Sequence, residues 1–343
     1  MNVFTHIDFD GHEQVVFAHD AKTGLKAIIA VHNTALGPAM GGCRMWPYAS
    51  EADALTDVLR LSRGMTYKNA MAGLPIGGGK SVVIGSSRTD KSPELMQALG
   101  EAIERLGGRY ITAEDVGTSP ADMRAVSTST RHVLGTSAET GDPSPFTALG
   151  CFVGARAAIR HGLGRDSFDG LRVALQGLGH VGWHYAKHLH EAGAKLVVTD
   201  IDEAAMERAR RELGAEVVAP EAIYDVEADI YAPCALGATV NAETLTRLKC
   251  KIIAGAANNQ LARPEIGELL RDKGMLYAPD FVINAGGIIK VCYDYLGKPL
   301  AEVDSHVRRI EDTLDEVFQR ARRDGQATSA VAEHIAEARF KRR

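Results

Sequence analysis

Lys68 and Lys80 lie in the stretch Met65-Thr-Tyr-Lys-Asn-Ala-Met-Ala-Gly-Leu-Pro-Ile-Gly77-Gly-Gly-Lys80-Ser81. Two cations close in sequence, one directly after three glycines, predict a site built for an anion. Glycines remove the side chains that would hold a ligand away from the backbone. A second ammonium nearby also disfavours the charged form of the first, so a lysine there can lose its proton and act as a base. The anion is either a phosphate or a carboxylate. A phosphate-binding P-loop needs Gly, four residues, then Gly-Lys-Ser/Thr. Gly79-Lys80-Ser81 supplies the end, but Leu74 occupies the place of the first glycine, and Gly73 is one residue too early. The nucleotide-triphosphatase reading therefore lacks its loop.

The elements that must position these lysines read as an α/β alternation. Strands are expected at Glu13–His19 and Leu25–His32, around the turn-prone Asp20–Gly24. Ser50 opens a helical pattern through Leu55, Val58, Leu59 and Leu61. Lys80–Gly85 reads as a short strand. Ser92-Pro93 starts a helix that Gly107-Gly108 stops, and a strand from Arg109 delivers Glu114 and Asp115 at its carboxyl end. A boundary is expected near 135–147, which is rich in glycine, proline and hydroxyls. A helical pattern from Thr147 to His161 follows, and then a second αβ run. Further strands are expected at Ala215–Ala219, Asp229–Ala232, Lys251–Ala254 and Met275–Ala278, with two helices in the tail broken near Asp324-Gly325. The domains expected are 1–140, 141–325 and a helical tail over 326–343.

The chain of 343 residues is long enough for two domains. It is 45% hydrophobic and 24% charged, as soluble globular proteins are. A net charge of -5 argues against general attraction to nucleic acid or an anionic membrane. No apolar run reaches the roughly 20 residues that a membrane helix needs. The first ten residues lack the basic end and apolar core of a signal peptide. The five cysteines are scattered and show no CxxC pair, so neither a metal site nor a disulfide framework is expected. A cytoplasmic location is expected.

Gly177-Leu178-Gly179-His180-Val181-Gly182 matches G-x-G-x-x-G in its required context, a strand before and a helix after. Asp200 ends the next strand, close to the ~20 residues expected for a ribose-binding carboxylate. Gly177 permits the tight turn, Gly179 lets the backbone approach a pyrophosphate, and Gly182 lets helix and strand pack closely. The helix amino end then stabilises the phosphate charge. Asp200 repels a 2′-phosphate, and no arginine lies between Thr199 and Met206 to receive one. NAD is favoured over NADP.

At this point the chain resembles the glutamate/leucine/phenylalanine/valine dehydrogenase family over nearly its whole length, closest to the branched-chain members and with the aromatic members next. The matching stretches are Leu36–Arg44, Met65–Ala70, Gly77–Ser81, Ile111–Gly117, Ala232–Gly237, Ala254–Asn259 and Ala278–Gly287. The resemblance implies a two-domain α/β fold, with an N-terminal substrate-binding and oligomerisation domain, a Rossmann-type domain and a C-terminal helical tail. It also implies NAD-dependent reversible oxidative deamination of an L-amino acid to a 2-oxo acid and ammonia. Lys68 and Asn258 would hold the substrate, Lys80 would be the general base, and Asp115 would carry protons to and from the substrate nitrogen. Arg44, Thr147, Ala235 and Asn284 are carried over as cofactor contacts, although Thr147 equally well reads as a helix cap. A homo-oligomer is implied, and a cleft that closes on substrate is expected.

Met40, Gly41, Ala113, Ile288 and Val291 are the residues that the resemblance places around the substrate side chain. Ala113 with the branched Ile288 and Val291 narrows the space and suits a branched aliphatic chain. One methylene in such a pocket is worth only ~1–3 kcal/mol, so leucine, valine and isoleucine are expected to overlap. Met40 is pliable and broadens the range, and Lys290 is an unusual charge beside this set. An aromatic-selective enzyme and a non-catalytic NAD-binding sensor are the alternatives.

Overall fold

The computed structural model describes residues 3–136 and 141–341. The polypeptide divides into two units, Met1–Asp142 with Ala336–Arg343, and Pro143–Ile335. The division falls after Asp142, two residues beyond the expected boundary at 140, and residues 326–343 are shared between the two units. Residues 137–140 of the expected boundary segment lie outside the described residues.

The first unit contains β1 (Gln14–Asp20), β2 (Leu25–Asn33), β3 (Ala39–Trp46), α1 (Glu51–Met71), β4 (Gly77–Ile84), α2 (Pro93–Glu104), β5 (Tyr110–Glu114) and α3 (Pro120–Ser127). Its sheet runs β1-β2-β4-β3-β5. β2 pairs antiparallel with β1 and β4, and β3 pairs parallel with β4 and β5. Because side chains alternate across a strand, β4 sends Val82 to α1, where it packs with Ala54, Leu55, Val58 and Leu59. It sends Val83 to the other face, with Leu95, Leu99 and Ile103 of α2. Ser50, Ser92 and Ser119 cap the three helices by accepting the amide N–H of Asp53, Leu95 and Asp122.

The glycine run is not a turn open to a ligand. Gly77, Gly78 and Gly79 are the buried first residues of β4. A Cβ on Gly77 would lie 2.0 Å from Asn33 O, one on Gly78 2.1 Å from Thr66 N, and one on Gly79 2.7 Å from the Tyr110 ring. The glycines bring β4 against α1 and its neighbouring strands, and Asn69 Nδ2 secures the contact by donating to Gly77 O at 2.7 Å. The ligand-approach reading of this run is thus corrected to one of internal packing.

The second unit contains α4 (Ser144–Leu163), β6 (Arg172–Gln176), α5 (His180–Glu191), β7 (Lys195–Thr199), α6 (Glu203–Leu213), β8 (Glu216–Val217) and β9 (Ile230–Pro233). There follow α7 (Thr244–Arg247), β10 (Ile252–Ile253), α8 (Glu265–Asp272), β11 (Leu276–Tyr277), α9 (Asp280–Ile283), α10 (Gly286–Tyr295), α11 (Leu300–Arg308), α12 (Ile310–Asp324) and α13 (Thr328–Phe340). All the pairings of its sheet are parallel, in the order β11-β10-β9-β6-β7-β8. The order reverses between β6 and β9, and ligands bind outside the carboxyl ends of strands at such a switch point. The tail has three helices rather than two. Gly325 breaks it with a φ of 64°, as its sequence suggests, and Arg309 makes an additional break.

α13 passes from the second unit into the first. There Arg339 Nη1 donates to Ala70 O and Met71 O at 2.9 and 2.8 Å, satisfying carbonyls that the end of α1 leaves open. Glu337 accepts from Tyr67 Oη at 2.8 Å, and Phe340 meets the Tyr67 and His32 rings edge-on.

His32 is itself buried. Its Nδ1 lies 2.8 Å from Thr66 Oγ1, and its ring centroid is 4.8 Å from that of His12. Burial, with His12 beside it, lowers its pKa to about 4. The folded state therefore takes up this proton less readily than the unfolded chain. The resulting stability is present above the ordinary value of 6.5 and is lost as pH falls toward about 4. The window corresponds to on the order of 3 kcal/mol. Thermal melts should show wild type losing more stability than His32→Gln across this range; parallel losses in the two proteins would refute it.

Candidate active site

Lys80 is carried into the interior by β4, its side chain only 7% exposed, and its Nζ lies 2.7 Å from Asp115 Oδ2. Asp115 follows the last residue of β5. Its position is set by the turn after it, in which Thr118 Oγ1 accepts the Asp115 N–H at 2.9 Å and donates to Cys43 O at 2.9 Å. Gly42 makes room for it, since a Cβ there would lie 2.7 Å from Asp115 Cβ and 2.6 Å from Glu114 O. Burial raises the pKa of Asp115, but the charge and hydrogen bond of Lys80, with Arg44 beyond, hold it below the ordinary carboxylate range.

The group in contact with Lys80 is thus a carboxylate. Lys68 is half-buried near the end of α1, which packs along β4. Arg44 donates from Nε to Asp115 Oδ2 at 3.3 Å and from Nη1 to Asp57 at 2.9 and 3.2 Å, so its contacts are carboxylates of its own unit. Met40 is fully buried. Gly41 is needed because a Cβ would lie 1.9 Å from Gly79 O. Ala113 is half-buried on β5, opposite Gly42 of β3.

In the second unit, β6 ends at Gln176 and the glycine turn follows. Gly177 has a φ of 101°, and a Cβ there would lie 2.8 Å from Ala235. This places Ala235, just after β9, against the turn and at the switch point. Gly182 packs α5 onto the turn, its Cβ position 2.0 Å from Gly177 O. Gly179 has open space where a side chain would stand, and it is the N-cap of α5 with no side-chain cap bond. An uncapped amino end beneath an open glycine fits a pyrophosphate, with His180 and Val181 opening the helix.

Asp200 Oδ2 accepts the Leu178 N–H at 2.5 Å, and Oδ1 accepts the Asp202 N–H at 2.9 Å. The amide of Leu178 is therefore committed to Asp200. Each carboxylate oxygen keeps further acceptor capacity for a ribose hydroxyl.

Asn284 Nδ2 donates to Ala256 O at 3.0 Å and to Asn258 Oδ1 at 2.8 Å, while its own Oδ1 is buried without a partner. An orphaned acceptor beside Asn258 fits an amide-bearing ligand such as nicotinamide. Gln260 braces the same loop by donating to Gly255 O and Ala257 O at 2.8 and 3.0 Å. Thr147 lies inside the first turn of α4, donating to Pro143 O at 3.3 Å, so it does not cap the helix. It meets the start of α10, where a Cβ on Gly287 would lie 2.6 Å from Thr147 Oγ1.

Ile288 and Val291 are half-buried, three residues apart on α10 and hence on one face. Lys290 is buried and paired with Asp294 one turn on, turned away from that face. Gly42, Asp57 and Gln260 are the site residues that sequence reading missed. Only Gly42 carried a signal, as half of the Gly41-Gly42 pair. Among the described residues, no cluster of three or more His, Cys, Asp or Glu side chains could hold a metal, and no helix is long and apolar enough to cross a membrane.

A parallel sheet with a glycine turn at its switch point defines an α/β protein of the dinucleotide-binding class. Residues 12–132 match the profile of the Glu/Leu/Phe/Val dehydrogenase dimerisation domain, and residues 142–206 and 198–340 that of Glutamate/Leucine/Phenylalanine/Valine dehydrogenase. Leucine dehydrogenase of Thermoactinomyces intermedius is 52% identical over 343 residues, 99% of this chain and 94% of that protein. Valine dehydrogenase of Streptomyces virginiae is 46% identical over 346 residues, covering 99% and 97%. The crystal structure of L-tryptophan dehydrogenase from Nostoc punctiforme aligns with a TM-score of 0.85 at 44% identity, over 96% of each chain. The chain belongs to the glutamate/leucine/phenylalanine/valine dehydrogenase family and is an oxidoreductase of the amino acid dehydrogenase class.

Proposed function

We propose that the protein catalyses the reversible oxidative deamination of branched-chain aliphatic L-amino acids, leucine above all, to 2-oxo acids and ammonia. The turn at Gly177–Gly182 and Asp200 would hold NAD, which would supply the acceptor for the hydride of the substrate α-carbon. The observation that carries the chemistry is the buried Lys80–Asp115 pair at 2.7 Å.

Lys68 pairs with the substrate carboxylate, and Asn258 helps to hold it. Asp115 accepts a proton from the substrate nitrogen and later returns one to the departing ammonia. Lys80 must be neutral to take a proton from the water that attacks the imine carbon, and its 2.7 Å contact with Asp115 holds the amine in place for that transfer. Sequestering these groups from water strengthens their interaction.

Ala113, Ile288 and Val291 support a branched aliphatic side chain, as does the 52% identity to a leucine dehydrogenase. The 46% identity to an L-tryptophan dehydrogenase favours an aromatic substrate as the second reading. The match of the first unit to a dimerisation domain supports a homo-oligomer. Free cysteines at 43, 151, 234, 250 and 292 fit a cytoplasmic location.

Initial rates of NADH formation across a panel of L-amino acids, with NAD and NADP, test the reading. The highest kcat/KM should fall on leucine with NAD. A higher value for phenylalanine or tryptophan would transfer the assignment to the aromatic reading, and NAD binding without turnover of any L-amino acid would refute the enzyme.

A further inference from the structure

Asp115 Oδ2 receives two cations, Lys80 at 2.7 Å and Arg44 at 3.3 Å. A carboxylate gripped by two full positive charges would be a poor proton acceptor. Arg44, however, is itself engaged by a second carboxylate. Its Nη1 lies 2.9 and 3.2 Å from the two oxygens of Asp57, and Tyr48 Oη donates to Asp57 Oδ2 at 2.6 Å. The four charged groups come from four places in the first unit: β4, the residue after β5, β3 and α1.

We propose that Asp57 and Tyr48 are positioning residues for the proton transfer, holding Arg44 so that it orients Asp115 beside Lys80 while Asp57 balances its charge. The row Lys80, Asp115, Arg44, Asp57 alternates between basic and acidic side chains. Each member is at least partly shielded from water, with Arg44, Asp57 and Asp115 about a quarter exposed (25%, 27% and 25%). Tyr48 finishes the row with a neutral hydroxyl, whose loss of a proton is opposed by burial and by the anion it serves. Cys43 on β3 and Tyr110 on β5 are the other titratable groups that feel Asp115, and burial keeps both neutral. Removing the Asp57 charge leaves Arg44 unbalanced against Asp115. That disfavours a proton on the Lys80–Asp115 pair as a whole, and moves the acid limb at which the pair must give up its proton to lower pH.

This inference rests on the proposed deamination, so its test separates the two. Rates with L-leucine and NAD are measured from about pH 6 to about pH 10 for wild type, Asp57→Asn, Asp57→Glu, Tyr48→Phe and Asp115→Asn. Asp57→Asn should lower kcat about ten- to a hundredfold, with KM for leucine nearly unchanged and the acid limb displaced downward. Asp57→Glu should recover part of the rate, and Tyr48→Phe should shift the profile in the same direction by less. A wild-type pH profile and kcat in Asp57→Asn and Tyr48→Phe, with Asp115→Asn inactive, would overturn the positioning role and leave the function standing. A rate loss with an unmoved profile and no recovery in Asp57→Glu would also overturn it, by showing that Asp57 only supports the fold. Absence of turnover by wild type would overturn the proposed function, and this inference with it.

Discussion

Lys80→Ala is expected to reduce kcat for L-leucine by about a thousandfold or more, because it removes the base and the proton partner of Asp115 together. The variant should still fold. Asp115 keeps Arg44 at 3.3 Å as a counterion, so no isolated charge is left buried. Calorimetry should find NAD affinity little changed, since the glycine turn and Asp200 belong to the other unit. A kcat within tenfold of wild type would rule Lys80 out as the base. Lost NAD binding would mean that its role reaches beyond the chemistry assigned to it.

Gly42→Ala, a change of one methyl group, is expected to be nearly as damaging. The added Cβ would lie 2.6 Å from Glu114 O and 2.7 Å from Asp115 Cβ. Neither neighbour is a flexible side-chain end, so the segment after β5 must move. A displacement of about 1 Å in a catalytic group costs on the order of a hundredfold in rate. Gly64→Ala is the control, because Gly64 is exposed within α1 and has nothing within 4 Å of its Cβ position. It should leave kcat unchanged and raise stability by about 1 kcal/mol. Equal kcat in both variants would show that the space above Gly42 is not what fixes Asp115.

The parts of this site legible in the sequence were those encoded locally. Gly177–Gly182 with a strand before and a helix after is a short-range pattern, and β6, α5 and the placement of Asp200 after β7 follow it closely. What failed depended on residues distant in the chain. Gly77–Gly79 read as an approach for a ligand because glycine clears the backbone; their true neighbours are Asn33, Thr66 and Tyr110, which no local window contains. Asp57 was unremarkable on a helix face until the fold brought Arg44 to it. The break at Arg309 has neither glycine nor proline to announce it. Lys290 stood beside two pocket candidates in sequence, yet helical geometry turns it toward Asp294 instead.

The return of the last residues to the first unit has a consequence for synthesis. Domains generally fold as units in the order in which they emerge from the ribosome. Here the first unit to emerge is the last to be completed, because Glu337, Arg339 and Phe340 are needed to close the end of α1 and cover Tyr67 and His32. Throughout translation of the second unit, the helix that carries Lys68 waits with open carbonyls and an uncovered aromatic cluster. A nascent chain stalled before residue 336 should therefore be protease-sensitive around Tyr67, and release of the final eight residues, Ala336–Arg343, should protect it.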